Sequence, residues 1–369
     1  MTANPLIRLG QLGQSPWYDY ITRDLIASGR LAGLIRDDGL RGMTSNPTIF
    51  EKAIAGSADY DADIGRLAAE GRSPGEIFEA LSVQDVRAAC DAFRPVYDAS
   101  GGADGLVSLE VSPELAGDTD GTIAEAKRLW SALDRPNAMI KIPGTHAGLA
   151  AIDQSLAAGI SINVTLLFSV QRYEEVIEAF LTGLERRRKA GQPIDRINSV
   201  ASFFVSRVDG RVDPLLDKAG DPHHLRGTIA IANAGMAYAA FERSRATPRW
   251  RALAAAGARP QRPLWASTST KDPKYPDIFY IEALVAADTV NTIPPDTFEA
   301  YRDHGKPEPR IALAIATAPE RLAALASMGI ALADVTRFLE EDGVTKFAAS
   351  YKQLLAGIEA KATTLVGAR

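Results

Sequence analysis

Eight short apolar runs recur along the chain, each bounded by turn residues and most of them followed by a helical pattern. Runs of this kind are typical of buried strands in a parallel sheet. They cover residues 15–19, 40–44, 105–111, 138–142, 159–165, 198–204, 263–267 and 287–292. Eight strand–helix units favour a closed α/β barrel, the (β/α)8 TIM barrel, over an open doubly wound sheet. Neither a Gly-rich dinucleotide loop nor a P-loop motif occurs in the sequence.

The segments between these runs carry helical periodicity. The pattern predicts helices over 22–35, 119–133, 146–156, 169–188, 225–245 and 249–256, and helical excursions over 60–96. From residue 312 onward an alanine-rich tail predicts three or so further helices. We therefore expect one barrel domain over 1–369, with helical insertions at about 219–262 and C-terminal helices at about 312–369.

Composition excludes several classes of protein. Of the 369 residues, 46% are hydrophobic and 24% charged, which is an ordinary globular balance. The formal net charge of -5 argues against non-specific nucleic-acid binding and means that an anionic substrate needs a local basic pocket. The single cysteine, Cys90, excludes an internal disulfide and fits the cytoplasm. The first ten residues have no apolar core typical of a signal peptide, and no run approaches the length of a membrane span.

Polar residues stand at or near the ends of these apolar runs, where barrel enzymes hold their active sites. They are Asp19, Asn46, Glu110, Lys141, Asn163, Thr165, Ser202 and Ser267, with Arg207 and Lys271 just outside. Lys141 lies within an apolar run, and burial disfavours the charged form of a lysine. A neutral amine attacks carbonyl groups, and neighbouring carboxylates can move the protons, so the set suits imine chemistry.

Each candidate also has a structural interpretation. The ammonium of Lys141 can reach solvent from a strand end, and Asp19 can cap the helix that begins near Thr22. The Asn46–Pro47 pair is a common helix entry, and Glu110 can form a structural salt bridge.

The remaining candidates have equally simple alternatives. Asn163 and Thr165 can satisfy backbone groups, and Phe204 can be core packing. Arg207 can pair with Asp209 or Asp213, and Lys271 can be a solvated loop charge. The adjacent His223 and His224 do not face one way along the chain, so no metal site is expected.

Five motifs resemble the transaldolase family, in its longer bacterial form. They are TSNPTIFEK (44–52), VSLEV (107–111), MIKIP (139–143), INVTLLFS (162–169) and LWAST (264–268). The resemblance covers about three quarters of the chain, residues 14–292. It implies a (β/α)8 barrel of the class I aldolase group that acts in the pentose phosphate pathway without cofactor or metal. A homodimer is compatible with the sequence.

Roles follow from the same resemblance. Lys141 is similar to the Schiff-base lysine, and Asp19 to the acid/base that acts on the C4 hydroxyl. Glu110 and Thr165 resemble a pair that holds a catalytic water. The implied substrate-binding residues are Asn46, Asn163 and Ser202 for the dihydroxyacetone hydroxyls, and Arg207 and Ser267 for the phosphate. Ser269 stands where the shorter enzymes carry an arginine, which makes Lys271 the candidate for the second phosphate cation.

The implied reaction is transfer of a dihydroxyacetone unit. Its donor is sedoheptulose 7-phosphate or fructose 6-phosphate, and its acceptor is glyceraldehyde 3-phosphate or erythrose 4-phosphate. Two alternatives stay open: a fructose-6-phosphate aldolase-like lyase and a non-catalytic sugar-phosphate binder. Related aldolases carry a tyrosine where Phe204 stands and a glutamine where Glu110 stands, which favours transfer. Phe204 would then be an apolar wall beside the catalytic water.

Overall fold

The computed structural model describes residues 4–367, and its centre is a closed barrel of eight parallel strands in chain order. Strand β8 pairs with β1 and closes the sheet. The predicted (β/α)8 barrel is therefore confirmed. The strands are β1 Gln14–Tyr18, β2 Gly42–Thr44, β3 Leu106–Glu110, β4 Ala138–Pro143, β5 Ile162–Leu167, β6 Ser199–Phe204, β7 Arg262–Ala266 and β8 Thr289–Ile293.

Sixteen α-helices occur within residues 4–367. The first eight are α1 Pro5–Gln11, α2 Arg23–Ala27, α3 Arg30–Asp37, α4 Pro47–Ala55, α5 Asp61–Ala69, α6 Pro74–Ala99, α7 Thr119–Leu133 and α8 His146–Ala157. The others are α9 Val170–Lys189, α10 Ser206–Ala219, α11 Ile229–Arg245, α12 Pro248–Ala254, α13 Phe279–Ala283, α14 Pro295–His304, α15 Ile311–Ser327 and α16 Leu332–Gly367. A short 3-10 turn covers Pro113–Leu115.

Capping residues fix where several helices begin. The Asn46 side chain accepts a hydrogen bond from the backbone N–H of Ile49, and Pro47 follows as the first residue of α4. Ser73 and Glu76 form a capping box at α6, and Ser169 caps α9. Because these signals lie in the sequence next to each helix, they set the length of the loops that leave the strand ends.

The helical predictions need several corrections. The helix predicted over 22–35 is two helices, α2 and α3, because Gly29 adopts a left-handed conformation (φ 79°) between them. Helices α1, α10, α13 and α14 were not predicted. The tail holds two helices rather than three or so, since α16 runs unbroken for 36 residues. The division into one barrel domain with insertions stays a prediction.

The last helix packs against the loops and helices at the carboxyl ends of the strands. Helix α16 contacts α4, α5, α6 and α10, and it also touches β5. Within residues 4–367, no helix taken alone is both long and apolar enough to cross a membrane. Helices α15 and α16 meet those criteria only as a pair bent by 92°.

Gly42 shows how tightly the first two strands pack. A Cβ placed on Gly42 would lie 2.4 Å from the indole of Trp17, which is fully buried in the neighbouring strand. The indole is rigid and enclosed, so it cannot move aside. Trp17 therefore requires a glycine at this position of β2.

We expect Gly42→Ala to destabilise the fold by about 1–3 kcal/mol, the usual penalty for overpacking a core. Urea unfolding followed by circular dichroism measures the change. Gly33→Ala is the matched control, since its added Cβ meets no atom within 4 Å on helix α3. Alanine is the better helix former, so the control should be neutral or slightly stabilised. Equal midpoints for the two variants would contradict the packing argument.

Candidate active site

A cavity of about 440 Å³ opens at the carboxyl ends of the barrel strands. Nine of the residues predicted from the sequence line it: Asp19, Asn46, Lys141, Thr165, Ser202, Phe204, Arg207, Ser267 and Lys271. The two others, Glu110 and Asn163, lie beside this lining, each next to a residue that belongs to it. The strand register thus brings the whole predicted set to one end of the barrel.

Lys141 is the buried centre of the site. Only 4% of the residue is exposed, and its Nζ lies 3.2 Å from Glu110 Oε2 and donates to the Ser45 carbonyl at 3.2 Å. The parallel register pairs Lys141 with Glu110 on one side and with Asn163 on the other, so the three side chains share one level of the barrel. The alternative in which the ammonium reaches bulk solvent does not fit this burial.

Glu110 is an almost completely enclosed carboxyl. Burial raises its pKa above the ordinary value, and the positive charge of Lys141 opposes the shift. Apart from the Lys141 ammonium, neither carboxylate oxygen has a hydrogen-bond partner among residues 4–367, and the Thr165 hydroxyl also lacks one. Glu110 borders a second cavity of about 30 Å³, the volume that one water occupies in the liquid. A buried group of this kind can accept a proton from a nearby amine.

Asp19 directly follows β1 and does not cap a helix, because Thr22 caps α2 instead. Thr44 donates a hydrogen bond of 2.6 Å to Asp19 Oδ1, and Thr292 lies 2.6 Å from the same Thr44 hydroxyl. Thr44 has a single proton, so Thr292 must be the donor in that second contact. Desolvation raises the pKa of Asp19 above its usual range, against the charge of Lys141 and the bond from Thr44. A raised pKa suits a carboxylate that takes and returns protons near neutral pH.

Ser202 and Asn163 form a polar pair in the barrel wall. Ser202 donates to Asn163 Oδ1 at 2.7 Å, and Asn163 donates to the Ser108 hydroxyl at 3.0 Å. Asn163 therefore orients Ser202, which lines the cavity. Asn46 caps α4, as its structural interpretation has it, and it also lines the cavity.

Arg207 lies in the first turn of α10, immediately after β6, and has no carboxylate partner within residues 4–367. Its guanidinium stacks over the ring of Phe204 at 4.9 Å, and its Nη1 is buried without a hydrogen bond. Burial lowers its pKa from the usual value, although an arginine stays charged at neutral pH. An aromatic contact holds the group in place while its N–H donors stay available to an anion.

Other cations stand around the same opening. Lys271 lies at the cavity rim and donates to Ser269 at 2.8 Å. Partial desolvation, and then the charge of Arg207, lower the pKa of Lys271. Lys52 of α4 lines the same cavity, so the lining holds four cations (Lys52, Lys141, Arg207 and Lys271) against the single carboxylate of Asp19. The basic pocket that an acidic protein needs for an anionic substrate is therefore present.

The strand ends themselves carry irregular backbone. Ser267 follows β7 with φ 56°, and its hydroxyl lies 3.0 Å from that of Ser206. The register between β5 and β6 shifts between Val164 and Leu167, and Leu166 has φ 59°. Bulges and left-handed residues of this kind are frequent next to active sites, where they change the direction in which a side chain points.

Several lining residues were missed by the sequence analysis. The important ones are Thr44, Lys52, Thr292 and Phe347. Thr44 and Thr292 end or nearly end their apolar runs, so the signal that found Ser202 could have found them. Lys52 stands on the same face of α4 as Thr48. Phe347 comes from α16, for which the sequence offers no local indication of a role in the site.

The fold and this cavity together define an enzyme-type barrel in which a buried lysine lies near two carboxyl groups and a basic rim. Comparison with known proteins gives the family. The family model described as "Transaldolase/Fructose-6-phosphate aldolase" matches residues 16–358. The chain belongs to this family, and the resemblance drawn from its motifs is confirmed.

Full-length relatives agree with that assignment. A protein of Acidothermus cellulolyticus named Transaldolase is 54% identical, with 96% of this chain and 96% of that protein aligned. Frankia alni has a Transaldolase that is 51% identical over 96% of this chain and 97% of its own length. Transaldolase 1 of Streptomyces avermitilis is 49% identical over 99% of this chain and 97% of that protein.

Asp209 and Asp213 do not pair with Arg207, contrary to one of the alternatives considered above. Asp209 accepts from the Ala230 backbone N–H at 2.7 Å and from the Tyr280 hydroxyl at 2.9 Å. Asp213 accepts from Gly227 and Tyr275. These two carboxyl groups of α10 therefore hold the start of α11. Desolvation raises the pKa of Asp209 to about 7, with hydrogen bonding opposing and the charge of Asp213 adding to the shift.

The pKa of Asp209 makes stability depend on pH. Because the folded pKa lies above the unfolded value of about 4, the folded protein holds an extra proton between the two values. The contribution is complete below about 4 and is lost as the pH rises through about 7. We expect Asp209→Asn to flatten this decline by a few kcal/mol, measured by urea unfolding at pH 5 and pH 8. Asp120→Asn, on an exposed site, is the control. An unchanged slope in Asp209→Asn would contradict this assignment.

Proposed function

We propose that this chain is a transaldolase that works through a Schiff base at Lys141. It moves a dihydroxyacetone unit from a ketose phosphate, sedoheptulose 7-phosphate or fructose 6-phosphate, to an aldose phosphate, glyceraldehyde 3-phosphate or erythrose 4-phosphate. The observation that carries the proposal is the buried Lys141 beside Glu110 in a cavity with a basic rim. About half of the residues are identical to those of proteins named Transaldolase, which supports it further.

Imine formation begins with proton transfer. Glu110 takes a proton from the Lys141 ammonium, which its raised pKa favours. The neutral Nζ attacks the C2 carbonyl of the ketose, and the proton returns to the departing hydroxyl, which leaves as water. Thr165 and Glu110 hold that water. This role is supported by their buried oxygens, which have no hydrogen-bond partner within residues 4–367 apart from the Lys141 ammonium.

Carbon–carbon cleavage uses the second carboxyl. Asp19 removes the proton of the C4 hydroxyl, the C3–C4 bond breaks, and the electron pair passes to the imine as an enamine. The aldose phosphate leaves. The same steps in reverse join the enamine to the acceptor aldehyde, and water then releases Lys141. The bond from Thr44 holds the Asp19 carboxylate in one orientation throughout.

Substrate binding divides the cavity into two parts. Asn46 and Ser202 hold the dihydroxyacetone hydroxyls, with Asn163 behind Ser202. Arg207, Ser267 and Lys271 hold the phosphate at the rim. Phe204 is the apolar wall between these parts, since it lines the cavity and stacks against Arg207.

The setting proposed for this reaction is the cytoplasm and the pentose phosphate pathway, without a cofactor, a nucleic acid or a membrane as partner. The one cysteine, Cys90, is buried and free, which fits a reducing compartment. Among residues 4–367, no group of three His, Cys, Asp or Glu side chains is arranged to hold a metal ion. A homodimer remains a proposal that sedimentation can test.

Borohydride trapping tests the nucleophile. With fructose 6-phosphate, reduction should add a three-carbon unit to the peptide that contains Lys141, as mass spectrometry detects. Lys141→Ala should lose both the adduct and turnover, because Lys141 is the amine that pairs with Glu110. Lys127→Ala, on the exposed face of α7, should keep both. An adduct on another lysine, or turnover by Lys141→Ala, would overturn the proposal.

The same material separates transfer from simple cleavage. Free dihydroxyacetone reports cleavage, and sedoheptulose 7-phosphate made from fructose 6-phosphate and erythrose 4-phosphate reports transfer. A transaldolase forms the second product faster. Faster release of dihydroxyacetone would assign the chain to the aldolase branch, and absence of both products with intact sugar-phosphate binding would leave a non-catalytic binder.

Arg207→Ala tests phosphate recognition. Loss of this partly buried cation should weaken binding of phosphorylated acceptors by about 2–5 kcal/mol, and it should hardly affect unphosphorylated glyceraldehyde. Lys271→Ala should show the same selectivity more weakly, because the ammonium is exposed. Steady-state KM values for the paired acceptors give the answer, with Arg211→Ala as the control on the same helix. Equal losses for both acceptors would make Arg207 a structural residue.

A further inference from the structure

Helix α16 is held against the barrel mouth by a row of contacts. Its buried residues include Val335, Leu339, Gly343 and Phe347, which are four positions apart, and further on Leu354 and Ile358. Thr48 of α4 donates to Ser350 at 2.8 Å, and Lys361 bonds both the Ser57 carbonyl (2.6 Å) and Asp61 (2.8 Å). These polar contacts hold the part of the helix that follows Phe347, and the buried side chains of Val335 and Leu339 anchor the part that precedes it.

Gly343 brings the helix unusually close to the site. A Cβ at this position would lie 3.0 Å from Leu166 and 3.8 Å from Arg207 Nη1. One helical turn further on, Phe347 is 5% exposed and lines the substrate cavity. Because the helix backbone at Gly343 lies close to Leu166, the side chain of Phe347 in the next turn of α16 reaches the cavity.

The ring of Phe347 faces both ends of the cavity. Its centroid is 5.9 Å from Lys141 Nζ and 5.9 Å from the Arg207 guanidinium carbon. Arg207 also has the ring of Phe204 at 4.9 Å, so two aromatic side chains from distant parts of the chain hold one cation. Phe347 consequently spans the distance between the proposed covalent centre and the proposed phosphate site.

The chemistry at this place has two competing outcomes. The enamine carbon C3 can attack the carbonyl carbon of an acceptor aldehyde, whose oxygen then takes a proton. Alternatively C3 takes a proton from water or an acid, a second water adds to C2, and dihydroxyacetone leaves with Lys141 restored. Apolar surface over the enamine disfavours the second outcome by excluding water.

We propose that Phe347, supplied by the C-terminal helix, is a specificity-determining residue that covers the enamine and favours transfer over release of dihydroxyacetone. The inference rests on the proposed transaldolase function. It also gives Phe347 a second effect, because its ring supports the Arg207 guanidinium. Removal of the ring should therefore weaken phosphate binding as well as admit water.

Three variants test this inference in the full-length enzyme. Phe347→Ala removes the cover, Phe347→Leu keeps apolar bulk without a π face, and Phe338→Ala is the matched control. Phe338 is a phenylalanine of the same helix that also stacks on an arginine, Arg211 at 4.1 Å, but it is 42% exposed and lies outside the cavity lining. Circular dichroism and thermal melting verify folding, and Phe347→Val takes the place of an unfolded alanine variant.

The decisive readout is the ratio of free dihydroxyacetone to sedoheptulose 7-phosphate formed from fructose 6-phosphate and erythrose 4-phosphate. Phe347→Ala should raise this ratio severalfold, because removal of the ring admits water to the enamine. Phe347→Leu should keep a low ratio but show a raised KM for phosphorylated acceptors, and Phe338→Ala should match the unmodified enzyme.

Two results would overturn the inference while leaving the proposed function intact. One is an unchanged ratio in folded Phe347→Ala that still forms the Lys141 adduct. The other is an equal rise in Phe338→Ala, which would point to general loosening of the helix. If the unmodified enzyme forms neither the borohydride adduct nor sedoheptulose 7-phosphate, the proposed function itself fails, and the inference fails with it.

Discussion

The contact between Lys141 and Glu110 is the constraint on which the rest of the site depends. Burying two charges costs hydration free energy, and the attraction between them rarely compensates for that loss in full. A buried ion pair is therefore poor evidence that the contact stabilises the fold. The barrel keeps it because the register of β3 and β4 leaves the two side chains no other position. Burial raises the pKa of Glu110, and a raised pKa makes it easier for this carboxylate to accept a proton from Lys141. In the proposed mechanism, this costly element of the fold is also the element that carries chemistry.

The positive charge near this pair is preserved because the nearest carboxylates of α10 bond to other groups. Asp209 and Asp213 lie on the same helix as Arg207, yet they accept hydrogen bonds from backbone N–H groups at the start of α11 and from the hydroxyls of Tyr275 and Tyr280. Arg207 is held by aromatic faces, which fix its position without neutralising it. The mouth of the cavity therefore keeps a positive potential in a protein whose net charge is negative.

Much of this could be predicted from the sequence because it depends on local signals. Short apolar runs bounded by turn residues predict each strand. A polar residue at the end of such a run, such as Asp19 or Ser202, is expected to lie at the mouth of a barrel. Thr292 carries the same signal and was overlooked. Other features depend on contacts between distant segments. In the sequence Gly343 suggests only a weak point in a helix, and its close contact with Leu166 becomes evident only in the folded structure. Nothing in the sequence around Phe347 indicates that its ring lies near Lys141.

The position of Phe347 in the sequence has a consequence for biosynthesis. All eight strands, the buried lysine and both carboxyl groups lie before residue 294. A nascent chain can therefore make the barrel strands and the proposed nucleophile before Phe347, the proposed cover of the cavity, has been made. The ribosome therefore makes the proposed reactive lysine before it makes the side chain proposed to shield it. A ribosome that stops early, or a protease that trims the last helix, would leave a lysine still paired with its carboxyl in a cavity open to water.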